Sequence, residues 1–97
     1  MIKRYFLTTQ ASEDLEEIHN FIAEDSVKRA LNFIDLIEDN IELIATNPGI
    51  GKYRNELFPE MHSLPVGDYI IFYRIKQKHV EVLRILHGSR DLPNYFE

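Results

Sequence analysis

Hydrophobic periodicity is helical in the first half of the chain. Apolar residues there recur every three or four positions, as on the buried face of an amphipathic helix. One stripe comprises Ala11, Leu15, Ile18 and Ile22, and a second comprises Ala30, Ile34, Ile37, Ile41 and Ile44, flanked by Leu31, Phe33 and Leu36. Thr9 offers an N-cap for the first helix, and the second helix is expected to start after Ser26. The sequence TNPGIG at 46–51 ends the second helix, since Pro48 disfavours helix in the residue before it. We therefore predict an antiparallel helix hairpin.

Strand patterns lie on either side of this hairpin. Runs of β-branched and aromatic residues predict strands at 2–8, 60–66, 69–75 and 80–86. Gly67-Asp68 and Gln77-Lys78 are expected as the turns between the last three strands. The order β-α-α-β-β-β predicts an α+β fold in which the two-helix hairpin packs on one face of a small, mainly antiparallel twisted sheet. At 97 residues the chain has the size of one domain, placed at 1–97.

The turn at Gln77-Lys78 sets a register for the last two strands. It pairs Ile75 with Val80, Arg74 with Glu81, Phe72 with Leu83 and Ile70 with Ile85. The opposite charges of Arg74 and Glu81 favour this register. The helices would cover the face with Phe72, and the other face would be open, carrying Tyr69, Ile71, Tyr73, Ile75, Val80, Val82, Arg84 and Leu86. Polar-tipped side chains in an apolar patch predict a binding surface there.

Composition and charge restrict the function. The chain is 44% apolar and 28% charged, which is typical of a globular protein. It has no cysteine, no signal-peptide pattern and no apolar run of membrane-spanning length, so a cytoplasmic protein with no membrane association is expected. Net charge is −5, and residues 1–49 carry four Lys/Arg against ten Asp/Glu. Such a chain is poorly suited to tight, direct nucleic-acid binding.

The acidic residues of the first helix have a simple interpretation. Glu13, Asp14, Glu16 and Glu17 lie near its N-terminus, where carboxylates are favoured by the helix dipole. We expect all four on a solvated face.

The segment HGSRD at 87–91 holds the candidate chemistry. His87 can act as an acid or base, but no Ser, Cys or carboxylate partner is fixed by spacing. The four histidines show no metal-ligand spacing, so no metal and no cofactor is predicted. In the structural interpretation, Asp91 caps a short C-terminal helix through Tyr95 and Phe96. The residues alone favour a structural or binding role over catalysis.

Four segments in series resemble the ParE branch of the ParE/RelE toxin superfamily of bacterial toxin–antitoxin pairs. They read LTTQASEDLEEIHNFI, ATNPGIGKYRNEL, LPVGDYIIFYRI and VEVLRILHGSRD, and they span nearly the whole chain. The resemblance implies a helical hairpin on a twisted antiparallel sheet, and a toxin neutralised by a co-expressed, ParD-like antitoxin. ParE-like members poison DNA gyrase, whereas RelE-like members cut mRNA on the ribosome.

Two departures from the RelE pattern bear on this choice. RNA-cleaving relatives place an arginine where this chain has Tyr69, and a basic residue where it has Gly88. Cleavage through the 2′-hydroxyl needs cations for the phosphorane charge and an acid for the leaving oxygen. We therefore expect a gyrase-binding toxin rather than an enzyme. The alternative is a ribosome-dependent mRNA endonuclease that uses His87, Arg90 and Arg84, with Lys52 or Glu56. A third hypothesis is that the protein binds an antitoxin but has lost its toxicity.

Six residues are expected to contact the target or the antitoxin: Tyr69, Tyr73, Arg84, His87, Arg90 and Tyr95. Arg84 should project from the open face opposite Ile71, with its guanidinium against Tyr69 or Tyr73. Leu31 and Leu36 should remain uncovered on the helix pair. A partly disordered antitoxin segment is expected to fold on these surfaces. Without the antitoxin we expect self-association, for example as a homodimer.

Overall fold

The computed structural model describes residues 4–96 and has the predicted α+β architecture, with the helix hairpin on one face of a twisted sheet. The elements are β1 (Tyr5–Leu7), α1 (Thr9–Ala23), α2 (Val27–Thr46), a 3-10 turn (Pro48–Ile50), β2 (Lys52–Tyr53), β3 (Met61–Val66), β4 (Tyr69–Ile75), β5 (Val80–His87) and α3 (Leu92–Tyr95). The first strand is shorter than predicted, and the predicted residues Ile2 and Lys3 lie outside the described range. The two-residue strand β2 was not predicted.

Both long helices begin at a hydroxyl N-cap. For α1 the cap is Thr8 rather than the predicted Thr9: its side-chain oxygen accepts the Ala11 N–H at 3.0 Å. The same hydroxyl donates to the carbonyl of Leu83 at 2.7 Å, so the cap also attaches α1 to β5. α2 starts after Ser26 as predicted, and the Ser26 hydroxyl caps it by accepting the Arg29 N–H at 3.2 Å. α2 ends at Thr46, before the Asn47-Pro48 pair that was expected to stop it.

The sheet has the strand order β1-β5-β4-β3-β2, with β1 parallel to β5 and the other neighbours antiparallel. The turn at Gly67-Asp68 is confirmed. Gly67 has a φ of 58°, a backbone conformation that glycine adopts without the steric cost of a Cβ. The turn at Gln77-Lys78 is confirmed too, with the Lys76 N–H donating to the His79 carbonyl at 2.8 Å.

A β-bulge interrupts the pairing of β4 with β5. The predicted pairs of Ile75 with Val80 and of Arg74 with Glu81 are confirmed. Beyond them, Tyr73 pairs with Val82 but Phe72 pairs with Arg84, so Leu83 is an extra residue in β5. The predicted pairs of Phe72 with Leu83 and of Ile70 with Ile85 are therefore wrong, and Ile70 faces Leu86 instead. A register extended from the turn misses the bulge because it assumes one residue opposite one residue.

The predicted assignment of the two sheet faces is also wrong. The helices cover the face that includes Ile71, Tyr73, Val80, Val82 and Ile85. The other face is not open, because the C-terminal segment and the loop before β3 cover it. Its cluster comprises Met61, Phe72, Leu86 and Phe96, with Leu57, Phe58, Ile70, Leu83, Leu92 and Tyr95 beside it. Since both faces are covered, both carry apolar residues, and alternation alone cannot show which one meets the helices.

Tyr73 has a structural role rather than the predicted surface role. Its side chain is fully buried. The phenol hydroxyl donates to the Pro48 carbonyl at 2.6 Å and accepts the Gly51 N–H at 3.0 Å. Burial raises the pKa of this phenol. Tyr73 therefore attaches the turn after α2 to the sheet and is not available to a partner in this conformation.

Several large apolar side chains stay exposed on the helix pair: Phe21, Val27, Leu31, Leu36 and Leu43. The expectation that Leu31 and Leu36 remain uncovered is confirmed, with exposed fractions of 53% and 47%. Within residues 4–96, no helix combines the length and apolarity that a membrane crossing requires.

Candidate target-binding site

A cleft of about 450 Å³ lies where α1, the end of β5 and the C-terminal segment meet. Its lining comprises Asp14, Glu17, Ile18 and Phe21 from α1, Tyr69 from β4, Arg84, Ile85, Leu86 and His87 from β5, and Ser89, Arg90 and Tyr95. Five of the six predicted binding residues therefore lie in one place. Tyr73, the sixth, is buried elsewhere in the core.

The centre of the cleft is an ion pair between Arg84 and Asp14. The guanidinium donates from Nε to Oδ2 and from Nη2 to Oδ1, both at 2.8 Å, in the bidentate geometry that arginine and carboxylate favour. The Ile85 N–H also donates to Oδ2, at 2.9 Å. Only 18% of the Arg84 side chain and 7% of the Asp14 side chain are exposed. The pair thus holds α1 against β5 in a largely dehydrated setting.

Arg84 does not lie where the sequence predicted it. It lies at the bulge, opposite Phe72 rather than Ile71, and its side chain turns toward α1. The guanidinium carbon is 5.1 Å from the centroid of the Tyr95 ring, so the expected cation–π contact exists with a different aromatic partner. The hydrogen bonds that Arg84 donates to Asp14, together with the negative charge of that carboxylate, raise the pKa of Arg84 against the opposing effect of burial. The cation is therefore permanent.

Asp14 is the residue that the sequence prediction misplaced. It was expected on a solvated face, but it is buried between Ala11 and Ile18 on the inner face of α1. A signal was present in the sequence, because Asp14 lies three residues after Ala11 and four before Ile18, within the apolar stripe. A carboxylate in such a stripe needs a buried partner, and Arg84 and the Ile85 N–H provide it.

His87 and Tyr69 form one wall of the cleft. They pair across β5 and β4, and their rings meet edge to face with centroids 5.2 Å apart. His87 Nδ1 accepts the Ser89 N–H at 3.1 Å and lies 2.7 Å from Ser89 Oγ. Because a backbone N–H is always a donor, Nδ1 is the acceptor here, and the neutral ring carries its proton on Nε2. Ser89 therefore fixes the orientation of the imidazole.

Arg90 supplies the exposed cation of the cleft. It lies in the turn after β5, and its N–H donates to the His87 carbonyl at 3.1 Å. Among residues 4–96 it has no ion pair, in contrast to Arg84. Asp91 occupies the predicted N-cap position of α3, but its carboxylate accepts the Asn94 side-chain amide instead of a backbone N–H.

The remaining candidates for RNA cleavage lie elsewhere. Lys52 is in β2, which is the opposite edge strand from β1, and Glu56 follows it. Glu56 pairs with Arg54 at 2.8 Å, and this contact lowers the pKa of the exposed carboxyl. The structure therefore brings His87, Arg90 and Arg84 together and leaves Lys52 and Glu56 outside the cleft.

Comparison with protein families matches residues 5–92 to the model for the ParE toxin of the type II toxin–antitoxin system parDE. The chain belongs to the ParE toxin family. Among curated relatives, this ParE-family chain is 30% identical over 89 residues to Toxin ParE1 of Caulobacter vibrioides, covering 91% of this chain and 92% of the relative. It is 31% identical over 94 residues to Toxin ParE1 of Mycobacterium tuberculosis, covering 95% and 96%.

Solved structures agree with this membership at the level of the fold. A chain of the chromosomal ParDE system from P. aeruginosa superposes on this ParE-family fold with a TM-score of 0.75 at 20% identity, covering 89% of this chain and 96% of that one. A chain of the toxin–antitoxin complex RelBE2 from Mycobacterium tuberculosis gives 0.61 at 22% identity, covering 90% and 99%. At 20% and 22% identity, these two likenesses show a shared fold.

Proposed function

We propose that this ParE-family toxin inhibits DNA gyrase by binding it, that the cleft around Arg90 contacts the target, and that a ParD-like antitoxin neutralises the toxin in the cytoplasm. The main observation that favours binding over RNA cleavage is the ion pair between Arg84 and Asp14. A cation that catalyses RNA cleavage must be free to stabilise the charge that develops on the phosphorane. Arg84 is instead neutralised by a carboxylate within hydrogen-bonding distance.

The rest of the cleft supports binding over cleavage. Tyr69 and Gly88 occupy the positions at which the resemblance implies cations in RNA-cleaving relatives. Glu17 adds a second carboxylate beside Asp14, which opposes the approach of a phosphodiester. What remains is an aromatic and apolar wall with one exposed guanidinium. Aromatic residues and arginine are the side chains enriched at protein–protein contacts.

Parallel assays with the purified chain test this proposal. We expect inhibition of gyrase supercoiling, with cleaved DNA accumulating in the gyrase reaction, and intact mRNA in a ribosome assay. Cleaved mRNA with unaffected gyrase would instead identify the RelE-like endonuclease that uses His87, Arg90 and Arg84. An antitoxin complex with neither activity would identify a chain that has lost toxicity.

Arg90→Ala tests the role of the cleft. We expect at least about tenfold weaker gyrase inhibition, since truncating an arginine that is a hot spot of an interface costs about 2 kcal/mol or more. Stability should change by less than about 0.5 kcal/mol, because Arg90 is exposed. Lys28→Ala is the matched control, since it removes an exposed cation from α2, outside the cleft. Equal inhibition by the two variants would exclude Arg90 from the target interface.

A separate surface is proposed for the antitoxin. Tyr73, Val82 and Leu86 are buried, so the predicted sheet surface is not available, and the exposed leucines of α2 remain. We expect the double variant Leu31→Ser/Leu36→Ser to weaken antitoxin binding about a hundredfold, as loss of two apolar anchors would, with gyrase inhibition retained. Asn32→Ser, an exposed neighbour, should bind like the original chain in the same calorimetric titration. Unchanged affinity in the double variant would place the antitoxin elsewhere.

A further inference from the structure

The first strand has a free edge. Among the described residues, β1 pairs with β5 alone and is the outermost strand. The Val80 N–H donates to the Arg4 carbonyl and the Thr8 N–H to the Val82 carbonyl, both at 3.0 Å. Alternate residues of a strand direct their peptide groups to opposite sides, so those of Tyr5 and Leu7 point away from the sheet. Such a row of unpaired groups is a template for another strand.

A basic groove lies at the start of this edge. It is formed by the β4–β5 turn and the residue before β1, and its charged lining consists of Arg4, Lys76 and Lys78, with His79 beside them. Lys76 is partly neutralised by Glu81, whose carboxylate is 3.9 Å away. Arg4 and Lys78 are exposed and have no ion pair within residues 4–96. This end of the edge is therefore positive in a chain whose net charge is negative.

An acidic groove follows along the same edge. It lies between Tyr5 and the outer face of α2, where it contains Asp39 and Glu42 beside the half-exposed Leu43. Burial and the charges of Glu42 and Glu38 raise the pKa of the Tyr5 phenol. Ala45 and Thr46 line both grooves, so the two are adjacent.

The two charges are separated along the edge rather than mixed. Asp39 precedes Thr46 by seven residues of α2, which corresponds to about 10 Å of helix. A surface with one sign at each end is complementary to itself when a two-fold axis passes between the ends. The axis brings the basic groove of one copy against the acidic groove of the other, twice.

We propose that two copies of the chain pair antiparallel along the free edge of β1, forming a sheet that continues across the dimer, with Phe6 at the two-fold axis. Tyr5 of one copy then exchanges main-chain hydrogen bonds with Leu7 of the other. The two Phe6 residues form the non-hydrogen-bonded pair, in which Cα atoms are about 4.5 Å apart and side chains are closest. Phe6 is 56% exposed in the single chain, and its ring meets the His79 ring edge to face with centroids 5.0 Å apart. The pairing concerns the free chain and does not depend on the gyrase target.

A cysteine at the axis gives a direct test. The sequence has no cysteine, so a disulfide in the Phe6→Cys chain must join two copies at that position. A Cα separation near 4.5 Å lies within the range that disulfides span. We expect mild oxidation to link Phe6→Cys about tenfold faster or more than Phe21→Cys, whose residue is 68% exposed on α1. We also expect the unsubstituted chain to sediment as a dimer. Equal linking rates, or a chain that remains monomeric, would overturn the proposal.

Charge-reversal variants distinguish this pairing from a purely structural role of the basic residues. Arg4, Lys76 and Lys78 could serve only to offset the negative end of the α2 dipole, which would affect stability but not association. The variants Arg4→Glu/Lys78→Glu and Asp39→Lys/Glu42→Lys place like charges across both halves of the dimer, so each should dimerise about a hundredfold more weakly. Mixing the two restores opposite charges at both contacts, and we expect a heterodimer. A mixture that stays monomeric contradicts the two-fold arrangement. A β1 edge that becomes protected from hydrogen exchange only when antitoxin is added contradicts it as well.

Discussion

The Asp14→Ala variant is expected to lose about 3–5 kcal/mol of the free energy of unfolding, the range found when one partner of a buried ion pair is removed. The loss is large because Arg84 keeps its charge with only 18% of its side chain exposed, and because the Ile85 N–H loses its acceptor. Urea unfolding measures it as a lower midpoint at unchanged slope. Glu17→Ala is the control, since Glu17 is exposed on the same helix and should change stability by less than about 0.5 kcal/mol.

Removing both charges distinguishes an ion pair from a simple packing defect. The double variant Asp14→Leu/Arg84→Met leaves no unpaired charge, so we expect it to be more stable than Asp14→Ala. Arg84→Ala alone should be destabilised, because Asp14 stays buried and Tyr95 loses its cation. If Arg84→Ala instead unfolds like the original chain but no longer inhibits gyrase, its main role is in target binding. Equal stability of Asp14→Ala and Glu17→Ala would refute the importance of the pair.

Gly51→Ala is expected to lower the free energy of unfolding by about 1–3 kcal/mol or more, as overpacking in a dense site does. A Cβ on Gly51 would overlap the Tyr73 hydroxyl and lie 2.8 Å from the Ser63 carbonyl oxygen. The carbonyl is part of β3 and cannot move without disturbing the sheet. Gly49→Ala is a close control, because a Cβ there meets nothing within 4 Å. Thermal unfolding of the two variants side by side measures the difference.

Combining Gly51→Ala with Tyr73→Phe locates the source of the strain. Tyr73→Phe alone should cost about 1–3 kcal/mol, since the Gly51 N–H and the Pro48 carbonyl lose their partner. The double variant lacks the hydroxyl that the new methyl would meet, so its loss should be smaller than the sum of the single losses. A purely additive result would mean that the methyl group is opposed by the Ser63 carbonyl and by the ring edge at Cε1, which phenylalanine keeps, rather than by the hydroxyl.

The elements of this fold could be predicted because they depend on local chemistry. Ser26 caps α2, Pro48 follows its end, and Gly67-Asp68 closes a hairpin at the predicted place. What could not be predicted depends on the opposing strand or on a distant segment. The extra residue Leu83 leaves no trace in the composition of β5, yet it changes the partner of every residue beyond it. The exchange of the two faces has the same origin, since the C-terminal segment with α3 covers the Phe72 face, where the helix hairpin was expected.

The position of the candidate site was predicted correctly, but the buried ion pair at its centre was not predicted. HGSRD was expected to carry the site at the end of β5, and His87 and Arg90 do line the cleft. Asp14 was missed because its neighbours Glu13, Glu16 and Glu17 are exposed, and the whole run was interpreted as one solvated face. Its partner lies 70 residues away, a distance at which no spacing rule operates.

The parallel pairing of β1 with β5 has a consequence for how the chain is made. The Thr8 hydroxyl contacts a carbonyl 75 positions later, and Asp14 contacts the Ile85 N–H 71 positions later. Contacts so far apart in sequence close a large loop and slow the folding of a small domain. During translation, Thr8 and Asp14 lack these partners until β5 has left the ribosome, although α1 can already pack on α2. The cleft at the end of β5 is therefore among the last parts of the described fold to form, and the target-binding site proposed there is absent while β1 to β4 are being synthesised.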